Sequence, residues 1–325
     1  MSIIEKVVDK LGKETSGEEK PAAKDRTPAI EKAIADDTGP KIQGQAVPSS
    51  TNEHQSRDLP PVQKPKKRRR SRKVTIDLQK LNKAGFLTPG TLKIVLAEQY
   101  RRIKRTILIN AFDDKAAELK NRNVVLVTSA MPGEGKSFSS MNLALSIAQE
   151  INRTVLFIDA DVAKRANTRF LGLDGTTGLT DFLMDKNQDL SDFMLSTNIP
   201  NLAILPAGTY YDSTHELWAT ARMSDFLDEL SGRYEDRVII IDAAPVLQDS
   251  STHILTRLVG QVIFVIEAEK TPQNLVMDAL ENISDSQYIG LVLNKSNRRL
   301  VSEYGYYAHV NTRLPDVKQR SEGSG

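Results

Sequence analysis

The 325-residue sequence contains no cysteine, which removes disulfides, thiolate nucleophiles, Cys-ligated zinc and iron–sulfur clusters together. Histidine is nearly as scarce: four scattered residues leave no His-rich metal site. No run of eighteen apolar residues occurs, so no segment reads as a membrane-spanning helix. The N-terminus carries no apolar h-region and no small-residue cleavage site, so the expectation is a chain that is not secreted. With cysteine missing as well, that reading is a cytoplasmic protein. Apolar residues nevertheless make up 39 %, enough for a sizeable core.

The formal net charge of +2 hides an asymmetry, because KPKKRRRSRK at 64–73 holds eight basic side chains and no acid, and without it the chain carries −6. No aromatic residue is interleaved with this run, so it does not read as a nucleic-acid site. Two readings remain, a solvated tether or a stripe drawn to an anionic membrane surface. Upstream, MSIIEKVVDKLG at 1–12 places Ile3, Ile4, Val7, Val8 and Leu11 on one helical face. So short a helix needs a partner, whether the body of the same chain, another protein or a membrane surface. Residues 13–73 are rich in Pro, Ser, Gly, Gln, Glu and Lys and read as a disordered arm.

From residue 74 the texture changes. Apolar runs at Val124–Thr128, Thr154–Ile158, Leu202–Leu205, Val238–Ile241, Val262–Ile266 and Ile289–Leu293 alternate with helical patterns at Ser137–Glu150, His215–Ser231 and Pro272–Ile283. Continuous apolar strands alternating with helices predict an α/β fold, a doubly wound and mostly parallel sheet with helices on both faces. The expected folded domain spans 74–312, followed by a flexible tail at 313–325.

Three motifs carry chemistry. AMPGEGKS at 130–137 follows an apolar strand and opens a helix, which is the P-loop pattern with Ala in place of its first Gly. Gly133 and Gly135 let backbone N–H groups curl around phosphate oxygens, Lys136 reaches the β- and γ-phosphates, and the Ser137 hydroxyl ligates Mg²⁺. Glu134 and Phe138 complete the expected nucleotide-binding set. The second motif, TVLFIDAD at 154–161, ends a buried strand in Asp159 and Asp161. Two acids at the carboxyl end of such a strand can serve Mg²⁺ and accept a proton. The third, VIIID at 238–242, is four apolar residues and an acid, the pattern in which Asp242 holds Mg²⁺ or its water. A weaker signal is GLVLNK at 290–295, where the Asn294 amide can read an adenine edge.

These segments resemble the bacterial tyrosine kinases, which reuse the MinD/ParA-type P-loop fold, and more narrowly the exosortase-associated tyrosine autokinases. The resemblance runs through MSIIEKVVDKLGK, AEQYRRIKR at 97–105, SAMPGEGKS, VLFIDAD, LPAG at 205–208, VIIIDAAP, VGQVIFVIEAEKTPQ at 259–273, GLVLNK and YGYY at 304–307. It implies autophosphorylation by ATP and Mg²⁺ on Tyr304, Tyr306 and Tyr307, in support of exopolysaccharide synthesis or export. By the same resemblance Lys136, Asp159, Asp161 and Asp242 are catalytic, and Ser137, Asp159 and Asp242 hold the metal. The family's ring-forming ExxRxxR motif falls on Glu98, Arg101 and Lys104, which implies a homo-oligomer phosphorylated in trans. The implied membrane partner is an activator of the chain-length-determinant type, which places the protein peripherally at the inner face of the cell membrane.

Departures from the family pattern are also visible. Ala163 stands where the family carries Arg, Ala243 where it carries Ser or Thr, and Lys104 where it carries a second Arg. Two other functions therefore stand beside the kinase: an ATPase switch of the MinD/ParA type, and an ATP-binding scaffold of the polysaccharide machinery. The switch class carries a signature Lys early in its P-loop, where this chain has Met131.

Overall fold

A computed structural model of the chain describes residues 72–90, 93–113, 119–185, 187–233 and 236–296, all within the compact unit 69–325. The expected helix at 1–12, nearly all of the arm, the tyrosine cluster and the tail at 313–325 lie outside the described residues.

The strands are β1 (Arg72–Val74), β2 (Val124–Ser129), β3 (Thr154–Asp159), β4 (Leu195–Thr197), β5 (Leu202–Leu205), β6 (Arg237–Asp242), β7 (Gln261–Glu267) and β8 (Ile289–Asn294). The helices are α1 (Leu78–Lys83), α2 (Ile94–Phe112), α3 (Lys136–Ala148), α4 (Ala166–Phe170), α5 (Leu179–Met184), α6 (Thr214–Leu217), α7 (Ala221–Arg233), α8 (Ser250–Leu258) and α9 (Gln273–Asn282). The strands form one sheet in the order β1-β4-β5-β3-β6-β2-β7-β8, parallel except where β4 meets β5.

Alternation along the central strands explains the two layers. Val124 and Leu126 of β2, Leu156 and Ile158 of β3, and Ile239 and Ile241 of β6 enter one core, with Met223, Phe226, Leu227 and Leu230 of α7. Their neighbours Val125, Val127, Val155, Phe157, Val238 and Ile240 enter the other, with Tyr100 and Ile107 of α2 and Met141, Leu145 and Ile147 of α3. A strand buried on both faces must be apolar throughout, which is why these strands read as unbroken runs.

All six strands expected from the sequence are present, in the doubly wound arrangement predicted. The pattern over His215–Ser231 resolves into two helices instead of one. Thr220 ends the first by donating to Leu217 O at 2.7 Å and starts the second by accepting from Met223 N at 3.3 Å. The three-residue strands β1 and β4 had no apolar run to announce them. Through β1, Arg72 and Lys73 at the end of the basic run pair with β4 instead of belonging to the arm.

The burial contrast sets stability. Phe157→Ala, at a fully buried position, is expected to cost about 3–5 kcal/mol. Leu291→Ala, at a site 48 % exposed, is expected to change stability by no more than about 0.5 kcal/mol. Urea denaturation of the two variants checks both.

Candidate active site

The sheet order brings the functional strands together. β6 lies between β2 and β3, with Asp242 opposite Val127 on one side and Asp159 on the other. The P-loop leaves β2, and Asp161 follows β3, so three adjoining carboxyl ends carry the lysine and all three acids. Lys136, Asp159, Asp161 and Asp242 are all buried, none more than 6 % exposed.

One pair dominates the interior. Lys136 Nζ donates to Asp161 Oδ2 at 2.5 Å and reaches Ser137 Oγ at 3.3 Å. Burial pulls the Lys136 ammonium down, but Asp242 and Asp161 outweigh it and hold the group above its ordinary value. Burial, and then the charge of Asp242, push Asp159 up to about 7 against two donors from Thr168. Asp242 is raised by burial against the pull of Lys136 and the nearby Ser137 hydroxyl. Three carboxylates around one ammonium leave a surplus of negative charge out of water, and that surplus shifts both acids.

The donor set fits a divalent cation. Asp159 Oδ1 and Asp242 Oδ1 are buried without a hydrogen-bond partner, which is costly unless something else occupies them. Hard carboxylate and hydroxyl oxygens suit Mg²⁺. No three acidic or imidazole groups among the described residues gather to hold a metal unaided.

The P-loop is braced from outside. Gly133 and Gly135 have φ of 92° and 96°, conformations that side chains rarely adopt. At Gly135 a Cβ would also lie 2.1 Å from Asn294 Nδ2. Glu134 points inward: it accepts from Met131 N at 2.7 Å and from the Thr271 hydroxyl. Asn294 Nδ2 donates to Glu134 O at 2.8 Å, and Lys295 Nζ donates to Gly133 O at 2.7 Å while pairing with Glu267 at 3.0 Å. One hydrogen of the Asn294 amide, expected at the adenine edge, is therefore engaged by the loop. The Phe138 ring packs on Phe86, centroids 4.9 Å apart, so only its backbone remains for a phosphate.

Two family departures find a structural place. Ala243 lies inside an apolar core cluster. Lys104 is 9 % exposed and turns toward α3, donating to Ser146 O at 3.0 Å and pairing with Glu150 at 2.6 Å. Glu98 and Arg101 pair with each other on the outer side of α2, with Arg101 the more exposed. The expected trio lines one open cavity beside α2, with Lys104 the most buried of the three. Sequence reasoning missed Asn167 and Thr168, whose side chains reach Asp242 and Asp159. It also missed Glu267, Thr271 and Lys295 behind the P-loop. The position of Asn167–Thr168 six and seven residues beyond a strand-end DxD was the one available signal.

A family model described as an AAA domain matches residues 122–297. The tyrosine-protein kinase YwqD of Bacillus subtilis is 31 % identical over 217 residues, covering 66 % of this chain and 87 % of that protein. The succinoglycan biosynthesis transport protein ExoP of Rhizobium meliloti is 28 % identical over 71 % of this chain, which spans 28 % of its length. The crystal structure of the VpsO kinase domain is similar with a TM-score of 0.54 and 33 % identity, covering 63 % of this chain and 98 % of that one.

The two raised acids give a pH dependence to the metal-free protein. Asp159 titrates near 7 when folded, against about 3.9 unfolded. The folded state therefore binds more protons between those values, and its stability falls as pH rises through them. In EDTA, the melting temperature is expected to drop from pH 5 to pH 8. Asp159→Asn should flatten the drop; an identical slope in both proteins contradicts the assignment.

Proposed function

The chain belongs to the AAA-domain family and, within it, to the bacterial tyrosine-protein kinases, and on that premise we propose that it transfers the γ-phosphoryl group of ATP to tyrosines at its own C-terminus. The observation that carries this reading is the convergence of Lys136 and three buried carboxylates at adjoining strand ends, with one bare oxygen on each of two of them. Ser137, Asp159 and Asp242 would hold Mg²⁺, which would offset the negative charge of the phosphates.

The residues divide the labour. Backbone N–H groups from Gly133 to Phe138 cradle the phosphates. Lys136 leaves Asp161 for the β- and γ-phosphates, which frees Asp161 Oδ2 beside the reacting group. The tyrosine oxygen attacks the γ-phosphorus; the new O–P bond forms as the bond to the bridging oxygen breaks, and ADP leaves. The phenolic proton passes to Asp161. Acceptors are Tyr304, Tyr306 and Tyr307 of a second copy, approached through an assembly in which Glu98 and Arg101 face a neighbour. The resemblance to ExoP supports a role in exopolysaccharide synthesis or export. A chain-length-determinant-type membrane protein, as the family resemblance implies, is the proposed activator; no described helix is long and apolar enough to cross a membrane. The basic run at 64–73 is proposed to add attraction to anionic lipid.

Lys136→Met should abolish phosphotyrosine formation from Mg·ATP while leaving the circular dichroism spectrum intact. Asp161→Asn should lower the rate by roughly 10²–10⁴-fold, the range for a lost proton acceptor. For the reaction in trans, a Lys136→Met chain is mixed with a chain lacking all three tyrosines. Label on the Lys136→Met chain is expected. An unlabelled chain beside an active partner would mean reaction in cis.

A further inference from the structure

Asp159 and Asp242 share a detail that burial alone does not require. Each is held by one oxygen and bare at the other. Asp159 Oδ2 accepts from Thr168 N at 2.8 Å and from Thr168 Oγ1 at 2.7 Å, while its Oδ1 has no partner. Asp242 Oδ2 accepts from Asn167 Nδ2 at 2.8 Å, and its Oδ1 likewise has none. The two acids are register partners on adjacent strands, so their Cα atoms lie roughly 4.8 Å apart. Two consecutive residues of α4 therefore reach two neighbouring carboxylates and treat them alike.

The donors are themselves fixed. Ala207 N, in the loop after β5, donates to Thr168 Oγ1 at 3.2 Å. That occupies the hydroxyl as an acceptor and directs its hydrogen at Asp159. Asn167 Nδ2 also donates to Ser137 O at 3.3 Å, so one amide ties the residue expected to bind metal through its hydroxyl to Asp242. Both residues are buried, at 3 % exposure each. A carboxylate with one oxygen pinned cannot rotate, and its second oxygen keeps a set direction.

We propose that Asn167 and Thr168 are positioning residues that clamp Asp242 and Asp159 so that the remaining oxygen of each is presented to the nucleotide-bound divalent cation. This rests on the reading of those acids as metal ligands. Neither residue touches the cation or the phosphates; each acts through the carboxylate it holds. Partners of this kind orient metal ligands, and their loss typically costs 10–100-fold in metal affinity or activity.

The test uses the full chain, Mn²⁺ in place of Mg²⁺, and a non-hydrolysable ATP analogue. Bound Mn²⁺ is counted by electron paramagnetic resonance. Thr168→Val keeps the backbone donor and removes the hydroxyl; Asn167→Leu removes the amide. Each is expected to weaken Mn²⁺ binding about tenfold or more. Affinity for the analogue in EDTA should be unchanged, as should the melting temperature to within a few degrees. In the assay of tyrosine phosphorylation the loss should appear in the KM for metal, with the KM for ATP at saturating metal little altered. Thr168→Ser, which retains the donor, should restore binding. If a bulky replacement does not fold, Thr168→Ala and Asn167→Ala serve in its place. Folded variants that bind Mn²⁺ as the wild type does would overturn the proposal. No Mn²⁺ binding by the wild type would instead overturn the metal-ligand reading on which it rests.

Discussion

Three buried carboxylates share one buried ammonium, and the rest of the site follows from that imbalance. Lys136 cannot neutralise Asp159, Asp161 and Asp242 together, so it pairs with Asp161 at 2.5 Å, while Asp159 and Asp242 are pushed up. A pocket carrying excess negative charge would ordinarily repel a triphosphate. On the proposed function, a nucleotide arriving with a divalent cation would meet it differently, because the cation would offset the carboxylate charge and leave Lys136 free for the phosphates. That charge balance is the physical reason the proposed substrate is a metal–nucleotide complex.

The fold supplies that imbalance cheaply. Apolar strands β2, β3 and β6 bury themselves on both faces, and only their carboxyl ends are free to carry charge. Register does the rest: Asp159 and Asp242 are paired by the same ladder that pairs Ile158 with Ile241. The loops that hold the acids come from elsewhere. α4 clamps the carboxylates, the turn after β5 orients Thr168, and the ends of β7 and β8 brace the P-loop through Thr271, Asn294 and Lys295.

What was legible in the sequence had a local period or a local spacing. Strands buried on both faces gave unbroken apolar runs, and the P-loop and both acidic strand ends lie within eight-residue windows. Elements set by tertiary contact were not legible. β1 and β4 are three residues each and exist because a neighbour pairs with them. Asn167 and Thr168 sit on a five-residue helix too short for any periodic pattern. Lys104 has a geometric reason of its own. Steps of three residues rotate a helix by roughly 300°, so Lys104 lies about 120° around from Glu98. The motif therefore runs from a more exposed end at Glu98 and Arg101 to a buried end at Lys104, which donates to Ser146 O of α3. Asn294 reads as a base reader in sequence, and the 2.8 Å contact to Glu134 O adds a loop brace that no spacing announces.

The central claim is that Lys136 exchanges Asp161 for phosphate while a cation takes the bare oxygens of Asp159 and Asp242. A crystal structure with Mn²⁺ and a non-hydrolysable ATP analogue tests it directly, because manganese announces itself by anomalous scattering. The account predicts a single manganese peak contacting the analogue's phosphates, Ser137 Oγ and the Oδ1 side of Asp159 and Asp242, directly or through water, with Lys136 Nζ on the phosphates. An analogue bound with no manganese at those oxygens, or with Lys136 still paired to Asp161, would contradict it.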